Sequence, residues 1–295
     1  ISAVKSQYKF STRFPRFWCV FGEEKKLGSF IVRFLPIFIF LFFSLKLKKS
    51  INFFSYFVIL LSSIVILLTN EVSAIFYLIL IFVFYILFLN INIKVKIVTF
   101  ISSLIILSTL LISFNQISKR VSGKFFEYQD KEINFILFNE HIPIWNTSLA
   151  IFSDNFFFGT GLKNYRKICP HKIFFNDTFT PFFPSKSEKK LSCSTHPHNN
   201  YIQILVETGI FGFIPFLLFS IIFFYKLLKI CFQNFKFSSQ YSNQLIAKYI
   251  IVLIPLWPFI PTGNFFNNWN SIIFFFAIGF IYREFLYKNK IKLDD

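Results

Sequence analysis

Methionine does not occur among the 295 residues, and charged residues make up only 15% of the chain. Because the chain begins at Ile1, we expect it to be a fragment that lacks the start of the protein, so the absence of a signal peptide excludes nothing. No segment recurs at a fixed period, and the sequence therefore does not indicate a repeat architecture.

Apolar residues are in large excess. Hydrophobic residues make up 55% of the chain, 49 residues are phenylalanine, and the mean hydropathy is +0.58. Several apolar runs reach the roughly 20 residues that a helix needs to cross a bilayer. The net charge of +17 does not indicate a nucleic-acid partner, because Lys and Arg stand in short clusters between apolar runs. The composition predicts a polytopic membrane protein that contacts the lipid bilayer.

The apolar runs predict an all-α polytopic integral membrane protein with about seven transmembrane helices. The spans are expected at about 28–45, 51–69, 72–90, 97–114, 201–225, 245–261 and 265–282. The chain then divides into an N-terminal loop with four helices (1–114), one large extracytoplasmic loop with short helices (115–200), and three further spans with a cytoplasmic tail (201–295).

The Lys and Arg residues of the short connections predict the orientation of the spans, since basic connections stay in the cytoplasm. The basic segments are the connections near 46–50, 90–96 and 226–244 and the C-terminal tail. The turns near 70 and 263 contain no Lys or Arg and are predicted to lie outside. The long loop 115–200 then faces the periplasm.

Some polar or helix-breaking residues interrupt the spans. Arg33 lies one turn into the first span, where an arginine is costly unless it pairs or extends to the membrane surface. An arginine at such a position is a functional candidate, but because Arg33 is near the end of the span, extension of its side chain to the surface is at least as well supported. Pro255, Pro258 and Pro261 leave a re-entrant hairpin as an alternative for the last two spans.

The long polar loop meets the fifth span at a His-Pro-His-Asn motif, which contains the densest set of chemically capable side chains. Thr195 can cap a helix, and Pro197 suits a first helical turn, so a helix is predicted to begin at the histidines. Asn199, Gln203 and Glu207 share one face of this helix at a spacing of four. This polar stripe is predicted to face protein.

The start of this helix suits an anion and a neutral histidine. Unpaired N–H groups and a partial positive charge at a helix start attract phosphate and disfavour a protonated imidazole. His198 is therefore predicted to be neutral and able to accept a proton. The alternative is that His196 and His198 only hydrate a helix end. Gly209 and Gly212 further along leave gaps where another backbone can approach closely.

The loop also carries arginines and a further histidine. Arg166 follows a glycine turn and could bind a phosphate with two parallel hydrogen bonds, whereas Arg120 could equally lie on a solvated basic face. A zinc site is not favoured, because His196 and His198 flank a proline and no acidic or cysteine partner stands at a regular ligand spacing.

Cys169 and Cys193 stand 24 positions apart in the predicted outer loop. Disulfides persist outside the cytoplasm, so a bridge between them is predicted, and two independent buried thiols are the alternative. Cys231 lies on the predicted cytoplasmic side and is expected to stay reduced.

The motif resembles that of a known family. His198-Asn199, nine residues and then Gly209-Ile210-Phe211-Gly212 match the His-Asn-x9-Gly-x-x-Gly pattern of the bacterial O-antigen ligase and O-antigen polymerase family. The stretch 145–161, with its Trp and its Gly-Thr-Gly turn, is similar to that family's approach to the motif, and the segment 16–29 is similar to its loop before a span. The resemblance covers nearly the whole chain and implies the C-terminal part of a protein with more spans.

The resemblance implies transfer of a glycan from an undecaprenyl diphosphate carrier to a hydroxyl acceptor, at the periplasmic face of the inner membrane, without metal or cofactor. The reaction would invert the anomeric carbon, with His198 as the general base. The acceptor would be a lipid A–core hydroxyl for a ligase and another repeat unit for a polymerase. The implied substrate-binding residues are Arg166, Arg120, Asn199, His196, His141 and Glu207.

The sequence departs from the family pattern at two positions. Val72 and His141 stand where members of the family often carry arginine. Diphosphate binding would then depend on Arg166 and Arg120. A transporter of lipid-linked glycans is an alternative from another class, although it predicts charged residues deep inside the spans, and this chain has few. A non-catalytic assembly protein would leave the His-Asn pair unexplained.

Overall fold

The computed structural model describes residues 26–44, 49–69, 71–88, 94, 97, 101, 126–129, 132–135, 141–171, 191–236 and 240–291. These residues form α1 (Leu27–Ser44), α2 (Lys49–Leu68), α3 (Val72–Phe88), β1 (Phe126–Gln129), β2 (Glu132–Phe135), α4 (Ile142–Asp154), α5 (Tyr165–Ile168), α6 (Asn200–Lys236), α7 (Gln240–Leu256) and α8 (Asn268–Ile291). The helical class is confirmed, with a short hairpin that the all-α prediction did not include. Arg120 and all but two residues of the predicted span 97–114 lie outside the described residues.

Helix α6 has the length and composition of a membrane span. It contains a 35-residue stretch, Asn200–Asn234, that is long and apolar enough to cross a bilayer. Other apolar helical stretches among the described residues are shorter: Leu27–Leu41, Phe57–Leu68, Val72–Phe88, Asn243–Leu256 and Asn268–Tyr282. Each coincides with part of a predicted span, while the number of spans and the placement of the loop stay predictions.

The chain forms two compact units. One comprises Ile1–Leu87 with Ile91–Phe135, and the other comprises Phe88–Asn90 with Ile136–Asp295. The first contains α1, α2, nearly all of α3 and the hairpin, in which β1 and β2 pair antiparallel from Phe126 opposite Phe135. The second contains α4 to α8 and the His-Pro-His-Asn motif.

In the first unit, α1 begins against the turn before α3. The buried Glu71 carboxylate accepts hydrogen bonds from Gly28 N at 2.9 Å, Ser29 N at 3.0 Å and Ser29 Oγ at 2.7 Å. A carboxylate at a helix start satisfies unpaired N–H groups and opposes the positive end of the helix dipole. The hydroxyl of Thr69 occupies the space where a Cβ on Gly28 would lie, so only a glycine lets the start of α1 approach the Thr69 side chain this closely.

Of the two alternatives for Arg33, the structure supports pairing inside the protein and not extension to the membrane surface. Its side chain is only 6% exposed, and its Nη1 donates to Ser29 O at 2.7 Å. The guanidinium lies 5.9 Å from the ring centroid of Tyr77, and the Glu71 carboxylate contributes a favourable charge. Arg33 turns inward because a carbonyl, an aromatic face and a carboxylate of the same unit are all close to it.

In the second unit, the non-helical connection between α7 and α8 is longer than the turn predicted between the spans 245–261 and 265–282. Helix α7 ends at Leu256 and α8 begins at Asn268, so 257–267 is a non-helical segment. Pro258 and Pro261 in this segment lack the N–H that would continue α7. Every residue from Ile246 to Leu256 is buried, so α7 is an internal helix of its unit.

Candidate active site

The helix that follows the His-Pro-His-Asn motif begins later than predicted. Helix α6 starts at Asn200, and Asn199 is its cap, because Asn199 Oδ1 accepts from Tyr201 N at 2.9 Å and Ile202 N at 3.2 Å. The predicted cap at Thr195 and the predicted first-turn proline are therefore wrong. His198 has a φ of 58°, a left-handed conformation that does not occur inside an α-helix. The histidines thus precede the helix.

Three histidine rings converge just before α6. The ring centroids of His196 and His198 are 4.0 Å apart, and those of His141 and His198 are 5.1 Å apart. Trp145 on α4 donates from Nε1 to Pro197 O at 3.0 Å, which holds α4 against the motif. The fold therefore brings His141 next to two histidines that lie 55 and 57 positions later in the sequence. We call His141, His196 and His198 the histidine cluster.

The non-helical segment 257–267 holds the backbone of the motif. Thr262 N donates to His198 O at 2.7 Å, and Thr262 Oγ1 donates to Asn200 Oδ1 at 2.7 Å. Asn199 Nδ2 donates to Pro258 O at 2.9 Å. The left-handed conformation of His198 is thus fixed by contacts on both sides of it. The sequence predicts only the turn near 263 outside the membrane, with 257–261 and 265–267 in the flanking spans, and nothing in its local pattern indicates this contact with the motif.

Burial sets the ionisation of His198. Burial lowers the pKa of the His198 imidazole below its ordinary value of 6.5, and a backbone hydrogen bond involving Thr262 acts in the opposite direction. The predicted direction is therefore supported, but its cause is burial, since the helix begins two residues later. His198 Nε2 lies 3.0 Å from Ser194 Oγ, so a hydroxyl group can reach this ring nitrogen.

The polar stripe of α6 faces protein, as predicted. Gln203 is 0% exposed and Glu207 is also buried. Gln203 Nε2 donates to Asn264 Oδ1 at 2.8 Å, and Gln203 Oε1 accepts from Phe265 N at 3.0 Å. Because both ends of this amide are bonded to the segment 257–267, Gln203 joins α6 to that segment.

Helix α6 is broken at Gly209, where φ is 66° and ψ is −171°. The loop 155–163 bonds to both sides of the break. Thr160 N donates to Val206 O at 3.0 Å and Gly161 N to Glu207 O at 2.9 Å, whereas Ile210 N donates to Phe156 O at 2.9 Å. The loop therefore satisfies the carbonyl and N–H groups that the break leaves without helical partners.

The predicted close approach of another backbone is confirmed at Gly209 but not at Gly212. A Cβ on Gly209 would overlap the backbone of Phe157, and a Cβ on Gly159 would overlap the backbone N of Gly209. At Gly212 an added Cβ would meet only the side chain of Thr208 from the same helix.

Comparison with known proteins identifies the family. A family model described as O-antigen ligase matches residues 57–217, which is more than half of the chain and includes the histidine cluster, the loop 155–163 and the break in α6. The chain belongs to the O-antigen ligase family. No curated protein and no solved structure matches it. Membership and the apolar helices together indicate a bacterial membrane protein that acts as a glycosyltransferase-like enzyme in O-antigen and lipopolysaccharide biosynthesis.

The structure of this O-antigen ligase family member gathers some of the predicted site residues and separates others. His141, His196 and His198 form the cluster, and Asn199 lies directly beside it as the helix cap. Glu207 is two turns away and is bonded to Lys163 N through Oε2 at 2.8 Å. Glu207 therefore supports the loop 155–163. Its other oxygen, Oε1, accepts from Gln203 Nε2 at 3.4 Å, so both carboxylate oxygens have partners within the protein.

Arg166 lies on the short helix α5 and is exposed. Within the described part of the chain no hydrogen bond or ion pair fixes its side chain, so it can reach a ligand without losing an internal partner. The neighbouring Tyr165 is buried, and Ser148 Oγ donates to its hydroxyl oxygen at 3.1 Å. Burial raises the pKa of Tyr165 to about 12, so this hydroxyl stays protonated.

A disulfide joins Cys169 and Cys193, the pair that the sequence predicts, with their Cα atoms 5.7 Å apart. It links the C-terminal end of α5 to the non-helical segment that leads into His196 and His198. Cys169 also packs in the core that α4, α5 and α6 share, formed by Ile144, Ile151, Tyr165, Cys169 and Val206. Cys231, the free cysteine among the described residues, is buried.

We expect the Cys169–Cys193 disulfide to stabilise the second unit by about 3 kcal/mol, because it restricts an unfolded loop of 24 residues. Adding a reductant should lower the melting temperature of the purified protein to that of the Cys169→Ser, Cys193→Ser double variant. The double variant itself should not respond to reductant. An equal response in both proteins would show that the effect does not come from this bond.

The arrangement of the histidine cluster does not indicate a metal site. Across the described ranges, no group of three or more His, Cys, Asp or Glu side chains is arranged to hold a metal ion. The metal independence expected from the sequence stays a prediction.

Proposed function

We propose that the protein is an O-antigen ligase that moves a glycan from an undecaprenyl diphosphate carrier to a hydroxyl of lipid A–core at the periplasmic face of the inner membrane. The family match supports glycan transfer in O-antigen biosynthesis. The basic connections, and the turns near 70 and 263 that contain no Lys or Arg, support the periplasmic orientation of the loop. The observation that carries the proposal is the half-buried His198 imidazole, whose Nε2 lies 3.0 Å from the Ser194 hydroxyl and whose pKa is lowered by burial.

In the proposed reaction His198 is the general base. A ring nitrogen of His198 takes the proton of the acceptor hydroxyl, and the acceptor oxygen forms a bond to the anomeric carbon of the glycan. The bond from that carbon to the diphosphate oxygen breaks at the same time, and undecaprenyl diphosphate leaves with the bonding electrons. Attack opposite the leaving group inverts the anomeric carbon. No metal or cofactor enters any of these steps.

The other residues around His198 have different proposed roles. Arg166 is exposed and without an internal partner among the described residues, so it is the proposed ligand of the departing diphosphate, whose negative charge grows during the reaction. His196 and His141 lie against the ring of His198 and are proposed to contact the sugars. Asn199 is a positioning residue, because both ends of its amide are bonded within the protein.

The decisive experiment supplies the purified, membrane-reconstituted protein with an undecaprenyl diphosphate glycan and lipid A–core. Glycan linked to lipid A–core, with release of undecaprenyl diphosphate, is the expected result. Longer glycan that remains on the carrier would instead identify a polymerase of the same family. Movement of intact carrier-linked glycan across the membrane without transfer would identify a transporter and overturn the proposal.

The pH dependence of transfer should follow the ionisation of His198. Only the neutral ring accepts a proton, and burial holds its pKa below the ordinary value of 6.5. The rate should therefore stay constant as the pH falls from neutrality to the ordinary value, and decline only when the pH passes below the lowered pKa. A plot of kcat/KM against pH tests this. A rate that rises as the ring becomes protonated would contradict the role of a base.

A further inference from the structure

The loop 155–163 presents large apolar side chains away from the protein. Phe158 is 78% exposed, and Phe156, Phe157 and Leu162 are exposed as well. Phe211, at the start of the second half of α6, is also exposed, and its ring centroid lies 5.8 Å from that of Phe157 and 5.5 Å from that of Phe158. We call Phe156, Phe157, Phe158 and Phe211 the aromatic tip. A contiguous exposed apolar surface of this kind is typical of a site that contacts a membrane or another protein.

The aromatic tip continues the exposed side of the membrane-spanning helix. Beyond Phe211 the exposed side chains of α6 recur at steps of three and four residues, namely Ile214, Leu218, Ile221, Ile222 and Tyr225. In a helix that crosses a bilayer, such a stripe faces lipid. Because Phe211 belongs both to this stripe and to the tip, the same lipid that covers the stripe reaches the tip.

Basic side chains follow the tip immediately. Lys163, Arg166 and Lys167 are all exposed, and they come directly after the apolar residues of the loop. Aromatic residues with adjacent Lys and Arg are typical of the boundary between hydrocarbon and headgroups, since positive side chains are attracted to anionic lipids.

The loop is attached firmly to α6. Its backbone bonds to both sides of the break at Gly209, and its residue Gly159 packs directly on the backbone there. Any membrane contact of the tip is therefore transmitted to the segment Asn200–Thr208, which follows the histidine cluster.

We propose that the aromatic tip inserts into the outer surface of the bilayer, with Lys163 and Lys167 at anionic headgroups. The insertion sets the depth of the break in α6 and hence of the histidine cluster. Given the proposed function, this depth would place His198 near the diphosphate of a membrane-embedded carrier. The insertion itself requires no glycan and no activity.

The test measures the depth of a nitroxide label in vesicles of phosphatidylethanolamine and phosphatidylglycerol. The label is attached to Phe158→Cys in the full chain carrying Cys19→Ser and Cys231→Ser, with the disulfide intact. Its exposure to oxygen, which concentrates in lipid, is compared with its exposure to a water-soluble nickel chelate. Matched labels at Leu218→Cys, on the lipid stripe, and at Asp154→Cys, exposed on α4, give the two reference values.

A label at position 158 should favour oxygen over the nickel chelate several-fold, as at position 218. A value equal to that at position 154 would overturn the insertion. Lys163→Gln with Lys167→Gln should make the label shallower in anionic vesicles and leave it unchanged in phosphatidylcholine vesicles. If the double Lys→Gln variant and its parent carried the label at the same depth in anionic vesicles, the headgroup contact would be overturned. Neither readout depends on glycan transfer, so a failure here is distinct from a failure of the proposed function.

Discussion

His198→Ala should lower the rate of glycan transfer by about 10²- to 10⁴-fold, the range that a positioned general base supplies. The loss should appear mainly in kcat, because in the proposed reaction the proton is taken in the bond-forming step, whereas binding of the carrier is assigned to other side chains. Single-turnover transfer from a labelled lipid-diphosphate glycan measures the effect without interference from product release.

His171→Ala is the matched control for this variant. His171 is exposed and lies outside the histidine cluster, so its replacement should leave both the rate and the melting temperature unchanged. The His198→Ala protein should also keep its melting temperature within a few degrees. Unchanged turnover in a folded His198→Ala protein would eliminate the catalytic assignment, and a collapse of stability would show that the ring is structural.

The local patterns of the sequence predict the helices well but not the start of α6. Thr195 is a good cap by type, yet Asn199 is also one, and propensity alone does not choose between them. The choice depends on contacts from a segment about 60 residues further along the chain, where Thr262 bonds to His198 O and Pro258 O accepts from Asn199. Long-range hydrogen bonds of this kind leave no mark on the local periodicity.

The same limit explains the other corrections. Arg33 lies near the end of a predicted span, and extension to the surface is the simplest expectation for one helix considered alone. Its actual position depends on Glu71 and Tyr77, which other segments of the unit contribute. The disulfide, in contrast, could be predicted, because two cysteines in an outer loop have few other partners.

The break in α6 explains why the motif has a glycine at position 209. From the sequence, Gly209 is a small residue in a predicted helix, and such residues usually indicate a close contact between two helices. The structure gives it a positive φ and places the backbone of Phe157 where a side chain would lie. The break allows the segment Asn200–Thr208, with its buried polar stripe, to take a different direction from the apolar segment after it.

Gly209→Ala should lower the free energy of unfolding by about 3 kcal/mol or more. The φ of 66° and ψ of −171° at Gly209 are strained for any residue with a Cβ, and the added atom would also overlap the backbone of Phe157. Since the loop 155–163 would separate from the break, transfer should fall together with stability. Thermal unfolding of the detergent-solubilised protein and the fraction that elutes as a monodisperse peak measure the effect.

Gly279→Ala provides the comparison, since a Cβ there meets nothing within 4 Å and the position is helical. Alanine at an exposed helical site stabilises by up to about 1 kcal/mol relative to glycine, so this variant should melt at or slightly above the temperature of the unmodified protein. Gly159→Ala should resemble Gly209→Ala, because the two glycines meet across the same contact. Equal melting temperatures for Gly209→Ala and Gly279→Ala would mean that α6 is not broken at Gly209, and the depth proposed for the histidine cluster would lose its support.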